Sequence, residues 1–328
     1  MIRTLCLTPT GQVETDVPLE QLPGLIQQPQ ALVWLDITEE PAAVSEQILC
    51  DIFQFHPLAV KDALEEIHVP KVDDWEDYVY LVLHSVAITN AHDDDISSLE
   101  LDTFIGKNYV VTYQEQHIHE LDAVWKTCQQ DIRYLRRGAG QVAYLIADEL
   151  IEGYEHAIEI VEDEIDTIED KIFDDPTPDI LAQLFTLKRI LLHLRRIITP
   201  QRDVLNKLAR NDYRAIESTY KVFFRDVYDH LVRLTDVNDS MRELVGEALN
   251  SYLSVVNNRL NDVMKALTII TTLFMPVSFL SGFFGMNFFQ PVFPLDVWTG
   301  RVAFLIVLAA MFVIPLGMYL WIKRQRWM

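Results

Sequence analysis

Asn250, Ser254, Asn257 and Asn261, followed by Met264, Leu267, Thr271, Met275, Ser278, Gly282 and Gly285, recur at steps of three and four residues. On a continuous helix that spacing places all of them on one face. The stretch is polar at first, then runs from Ala266 to Met286 for 21 positions without a charge. At about 1.5 Å per residue this is enough helix to cross a hydrocarbon core of roughly 30 Å. Two explanations fit a face that is polar below the apolar run and narrow within it. Small residues let membrane helices approach closely; or several copies of the helix surround an ion path, with the stripe facing the axis. The ending Gly285-Met286-Asn287 favours the second. An amide oxygen, together with the free carbonyls of a helix C-terminus, offers uncharged oxygens and partial negative charge to a hydrated cation.

The elements that must hold this stripe are legible on either side of it. Few breakers interrupt the chain between Glu217 and Asn250, so a long helix is expected to start near Glu217 and run on into the apolar stretch, with Pro276 loosening one backbone bond. A second apolar run, Val302–Ile322, is apolar all round and suits a lipid-facing outer helix, with Trp298, Trp321 and Trp327 as interfacial aromatics. Lys265 precedes the first run and Lys323-Arg324-Gln325-Arg326 follows the second. By the positive-inside rule both ends face the cytoplasm and only Phe288–Gly300 crosses.

Upstream, Ile151, Tyr154, Ile158, Val161, Ile165, Ile168 and Ile172 form a heptad seam, backed by an acid-rich outer face from Glu152 to Asp170. Asp174-Asp175-Pro176-Thr177-Pro178-Asp179 breaks that helix, and Leu181, Leu184, Leu187, Leu191 and Leu194 start a returning one. Before this helical hairpin, strands are expected at Ile2–Leu7, Leu32–Ile37, Tyr78–Thr89, Leu99–Ile105 and Tyr109–Tyr113, the last two joined by a Gly106-Lys107-Asn108 turn. His92-Asp93-Asp94-Asp95 reads as a polar loop. The expected organisation is an α/β domain over 1–120, a helical segment over 121–216 and a stalk helix over 217–264. A pore-lining span over 265–287, a loop over 288–301, a second span over 302–322 and a basic tail over 323–328 follow.

The net charge is −22. After Met264 a single acid, Asp296, stands against five bases, Lys265, Arg301, Lys323, Arg324 and Arg326, so the whole acid excess lies in residues 1–264. Such a surface repels nucleic acid and attracts cations. Cys6, Cys50 and Cys128 are far apart and form no C-x-x-C pair, which argues against a disulfide framework or a thiolate zinc site. No apolar signal core opens the chain, so residues 1–264 are expected to stay in the cytosol. No nucleophile–base motif, P-loop or H-E-x-x-H is present, and no enzymatic turnover is expected. His117-x-His119, within QEQHIHEL, would lie on one face of a strand and could bind a metal, although the sequence favours a plain surface element.

Gly285-Met286-Asn287, the preceding Met275-Pro276, the second span with its basic end, and the upstream stretches HPLAVKDALEEIHVPKVDDWEDYVYLVLH and FFRDVYDH together resemble the CorA family of divalent-cation channels. The resemblance covers nearly the whole chain. It implies a funnel-shaped homopentamer with an α/β cytosolic domain, a long helical stalk with a coiled-coil hairpin, and two C-terminal transmembrane helices in the cytoplasmic membrane. Asn287, with the carbonyl of Gly285 and Met286 between them, would form the entrance. The stripe from Asn250 to Gly282 would line the pore, with Met264, Leu267 and Met275 as apolar constrictions.

By the same resemblance, Asp62 would meet Asp226 of the neighbouring copy, assisted by Asp229, and a cytosolic divalent ion bridging the two would hold the closed state. Divalent cations (Mg2+, with Zn2+, Co2+ and Ni2+ as alternatives) would be both substrate and regulator. Two departures stand out: Asn250 where many relatives carry an acid, and a loop after Asn287 with Asp296 as its one acid. They leave open a zinc-carrying or poorly selective relative, and, from another class, a membrane-tethered ion sensor that does not conduct.

Overall fold

The computed structural model describes residues 1–65, 69–88, 96–286 and 300–325. The chain divides into two units, Met1–Leu249 and Asn250–Met328.

In the first unit the strands are β1 (Ile2–Leu7), β2 (Val13–Thr15), β3 (Leu32–Thr38), β4 (Lys71–Asp74), β5 (Tyr78–Ile88), β6 (Ile96–Gly106) and β7 (Tyr109–Gln114). Between and after them come the short helices α1 (Leu22–Ile26), α2 (Ala42–Gln47) and α3 (Pro57–Leu64), then α4 (His119–Gln130), α5 (Ile132–Arg136), α6 (Ala139–Asp174) and α7 (Pro178–Arg210). The strands make one seven-stranded sheet in the order β2-β1-β3-β7-β6-β5-β4. All its neighbours are antiparallel except β3 and β7, which run parallel with Asp36 opposite Thr112. The Gly106-Lys107-Asn108 turn closes a hairpin, as its composition suggests. A Cβ on Gly106 would meet the ring of Tyr109 at 2.3 Å, so the turn needs glycine for a close approach.

β3 is buried along its whole length, which is why it reads as a nearly continuous apolar run. Its one charge, Asp36, is fully buried and compensated: Arg3 Nε donates at 2.8 Å and Thr112 Oγ1 at 2.6 Å, with Gln114 Nε2 at 3.2 Å. One sheet face packs on Phe53, Phe55 and α3. On the other side Trp125 of α4 meets Trp34 with ring centroids 4.7 Å apart.

The heptad residues Ile151 to Ile172 are all buried, and α7 returns with Leu184, Leu187, Leu191 and Leu194 buried against the hairpin interior. The hairpin is pinned to β5 by polar groups. Tyr154 Oη donates to the carbonyl of His84 at 2.9 Å, and the His84 N–H donates to Gln201 Oε1 at 2.9 Å. Gln201 Nε2 also donates to the His84 carbonyl at 3.4 Å and Tyr154 Oη lies 3.3 Å from Gln201 Oε1, so the three residues share one buried network.

The long helix α8 runs without interruption from Lys221 to Gly285, beginning one turn after the expected start. Phe224, Val227, Leu231, Leu234, Asn238, Met241, Val245, Ala248 and Tyr252 are buried at alternating steps of three and four. In the second unit, the C-terminal part of α8 is followed by α9 (Arg301–Arg324), which carries Pro315 within it. Both helices contain a window long and apolar enough to cross a membrane.

Candidate functional site

Every residue of the stripe from Asn250 to Gly285 is exposed. The apolar members are among the more open side chains of the unit, with Met264 at 56%, Leu267 at 59% and Met275 at 69% of full exposure. A different face of the same helix, Ile269, Thr272, Leu273, Pro276, Val277 and Leu280, is half-buried. The stripe is therefore not the face that α8 uses for contacts within the unit. Two hydroxyls of the stripe are satisfied locally: Ser254 Oγ donates to the Asn250 carbonyl at 2.8 Å, and Thr271 Oγ1 to that of Leu267 at 2.9 Å. Spending the proton on the helix backbone leaves hydroxyl lone pairs turned outward, where water or a cation can use them. Pro276 supplies no N–H to the carbonyl one turn before it. At the C-terminus the Met286 N–H reaches Phe283 O at 3.4 Å. Asn287 lies outside the described residues.

Asp62 sits on α3, a helix entered through Pro57 at its first turn and capped by His56, whose Nδ1 accepts from the Leu58 N–H at 3.2 Å. Its carboxylate forms an ion pair with Lys71 on edge strand β4. Lys71 also lies 3.7 Å from Asp73 and 5.1 Å from the ring centroid of Tyr80. Behind that ring, Tyr80 Oη donates to Asp102 Oδ1 at 2.5 Å. Burial, reinforced by the charge of Glu100, holds the Asp102 carboxyl well above the usual carboxylate range, although the Tyr80 bond and Lys71 pull the other way. Lys71 was not singled out in the sequence. It reaches Asp62 only because β4 folds back beside α3.

Asp226 and Asp229 are exposed on α8. Asp226 is near enough to Asp148 of α6 for its charge to add to the burial that raises the Asp148 carboxyl; the Tyr144 hydrogen bond and His230 oppose that rise. His230 Nδ1 in turn lies 3.8 Å from Glu155 Oε1. Within the chain, then, Asp62 has Lys71 as its partner and Asp226 faces solvent.

His117-x-His119 lies on a surface element, as its sequence favours, and not on one face of a strand. His117 belongs to a loop, Ile118 is the N-cap, and His119 opens α4. The two rings nevertheless meet, centroids 5.0 Å apart and edge-on. Asp122, three residues into the helix, joins them, with His117 Nε2 3.0 Å from its Oδ2. Of the cysteines, Cys6 and Cys128 are buried, and burial pushes both thiols up to about 12.

An α/β sheet layer bound to an acidic helical hairpin, followed by two apolar helices of membrane length, defines a membrane protein with two C-terminal spans. The chain matches the family described as CorA-like Mg2+ transporter protein over residues 29–324. It is 34% identical over 301 residues to the cobalt/magnesium transport protein CorA of Thermotoga maritima, covering 90% of this chain and 83% of that protein. To the zinc transport protein ZntB of Yersinia pseudotuberculosis it is 25% identical over 277 residues, covering 83% and 81%. The complete structure of the CorA magnesium transporter from Methanocaldococcus jannaschii shares the fold, with a TM-score of 0.83 at 22% identity over 99% of this chain and 98% of that one. The chain belongs to the CorA family.

Proposed function

We propose that this chain is a divalent-cation channel of the cytoplasmic membrane, built from five copies, with both termini in the cytosol and Mg2+ as its main substrate. The observation that carries the reading is the stripe on α8: its residues are exposed while another face of the helix is half-buried. Five such stripes around an axis would alternate polar steps at Asn257, Asn261, Thr271 and Ser278 with apolar constrictions at Met264, Leu267 and Met275. Asn287 and the Gly285 carbonyl would ring the entrance. Magnesium sheds its water reluctantly, so neutral oxygens that hydrogen-bond the hydration shell suit it better than a dry cage. An inside-negative potential of about 100 mV supplies on the order of 4–5 kcal/mol for two charges. Asp62 and the neighbouring copy's Asp226 would hold a cytosolic divalent ion that favours the closed state, since unpaired carboxylates at an interface repel until an ion removes the repulsion.

The test is flux in proteoliposomes. Asn287→Ala should abolish or nearly abolish Mg2+ uptake while leaving the oligomer intact, and a full-rate variant would remove the entrance role of the amide. Wild-type protein that carries no divalent ion at all would favour the sensor reading. The second reading within the class is zinc transport, supported by Asn250, by the single acid in the loop after Asn287 and by the ZntB likeness. Competition among Mg2+, Zn2+, Co2+ and Ni2+ in the same assay separates the two.

A further inference from the structure

We propose that His117, His119 and Asp122 form a binding site for a transition-metal dication of the Zn2+, Co2+ or Ni2+ kind. This site is separate from the conduction stripe and from Asp62 and Asp226. One ligand atom from each of the three residues lies within 4.8 Å of the others. Two features hold them there. His119 and Asp122 are one helical step of three apart on α4, hence on one face. His117 is fixed by the residue after it: the Ile118 N–H donates to Gln114 Oε1 at 2.7 Å, and the Ile118 side chain is buried. Gln114 is itself locked to Asp36 and Thr38.

The carboxylate is oriented for the task. Arg3 Nη1 donates to Asp122 Oδ1 at 2.7 Å, leaving Oδ2 on the histidine side. Ligating carboxylates and histidines are commonly fixed by such outer partners. Arg3 also pairs with Asp36, so two carboxylates share one guanidinium and the cluster keeps a net negative charge with neutral imidazoles. An arriving ion would exchange the His117–Asp122 hydrogen bond for bonds to both groups, and any proton on the coordinating nitrogen would pass to solvent. Two imidazole nitrogens and one carboxylate oxygen, with water completing the shell, suit Zn2+, Co2+ or Ni2+; Mg2+ prefers oxygen throughout. His119 is exposed and the other two are half-exposed, so an ion can reach them from water.

Co2+ reports its own ligands through visible absorption, so the full-length protein in detergent, stripped with a chelator, is titrated with Co2+ in a large excess of Mg2+. Wild type should show a saturable absorption that Zn2+ displaces and Mg2+ does not. The double variant His117→Gln, His119→Gln should bind that Co2+ about tenfold or more weakly. An unchanged titration in the variant, or displacement by Mg2+, would overturn the site. A second measurement needs no variant: diethylpyrocarbonate modification of wild type, mapped by mass spectrometry. Zn2+ should protect His117 and His119 while Mg2+ does not, and equal reactivity with and without Zn2+ would likewise overturn it. Neither readout depends on ion flux, so either can fail while the transport reading stands.

Discussion

At the scale of single residues, charge placement gives two measurable consequences. Burial raises the Asp148 carboxyl above its ordinary 3.8; the Tyr144 bond and His230 lower it, and Asp226 and Glu155 raise it again. A carboxyl whose folded value is raised binds its proton more tightly in the native state. It therefore supports folding below the ordinary carboxylate range, and this support is lost as pH rises through the raised value. Asp148→Asn keeps an acceptor for Tyr144 but removes the titration. Its thermal midpoint should exceed that of wild type at neutral pH, and the gap should close towards pH 4; identical midpoints across that window would contradict the assignment. The second consequence concerns Asp62, which is already neutralised by Lys71 within the chain. A regulatory ion would have to compete with that ammonium. Lys71→Gln should thus shift Mg2+ inhibition of flux to lower concentration, several-fold on the usual scale of about 1–3 kcal/mol for coupled sites. Asp62→Asn should shift it the other way. If both variants kept the wild-type midpoint, Asp62 would have no part in sensing.

Elements rather than residues decide which parts of this molecule can be read from a linear sequence. The seam of α6 was visible because its period of three and four is unbroken from Ile151 to Ile172, and every one of those side chains is buried. Ile168→Ala should cost about 2–5 kcal/mol by leaving a cavity there, whereas Phe173→Ala, at a position 67% exposed, should fall within about 0.5 kcal/mol of wild type. Comparable losses of thermal midpoint in the two variants would mean that the seam is not what holds the hairpin. Five of the seven strands were legible to within a few residues from their apolar and β-branched runs, as with Leu32–Thr38, whereas the short β2 and β4 carry no such run. The strand order was not legible, because the β3–β7 pairing joins segments with no local pattern in common, and its register shows in cross-strand contacts such as Asp36–Thr112 and Thr38–Gln114. Asp122 was missed because His117 and His119 alternate like strand residues, whereas the N-cap at Ile118 changes the local period to that of a helix. Lys71 was missed because no spacing rule connects an edge strand to a neighbouring helix.

For the molecule as a whole, charge and hydropathy make the same division. The acid excess belongs to residues 1–264, while the five bases after Met264 sit at the ends of the apolar helices against a single acid. If that asymmetry sets orientation, a cysteine at Gln290, in a chain first freed of Cys6, Cys50 and Cys128, should react with an impermeant reagent added to intact cells, and one at Gln325 should not. The reverse labelling would overturn the orientation and the entrance role of Asn287 with it. The parallel seam between β3 and β7 has a consequence in time. β1, β2 and β3 pair among themselves, as do β4 to β7, each through neighbours close in sequence. Only the β3–β7 junction must close a long loop, which makes it the slow step of sheet assembly. All seven strands are nonetheless complete by Gln114, well before α8 reaches its apolar stretch. On a ribosome that delivers the chain N-terminus first, the sheet can finish its hardest pairing while the spans are still unmade. The membrane then receives a chain whose first folding problem is already solved.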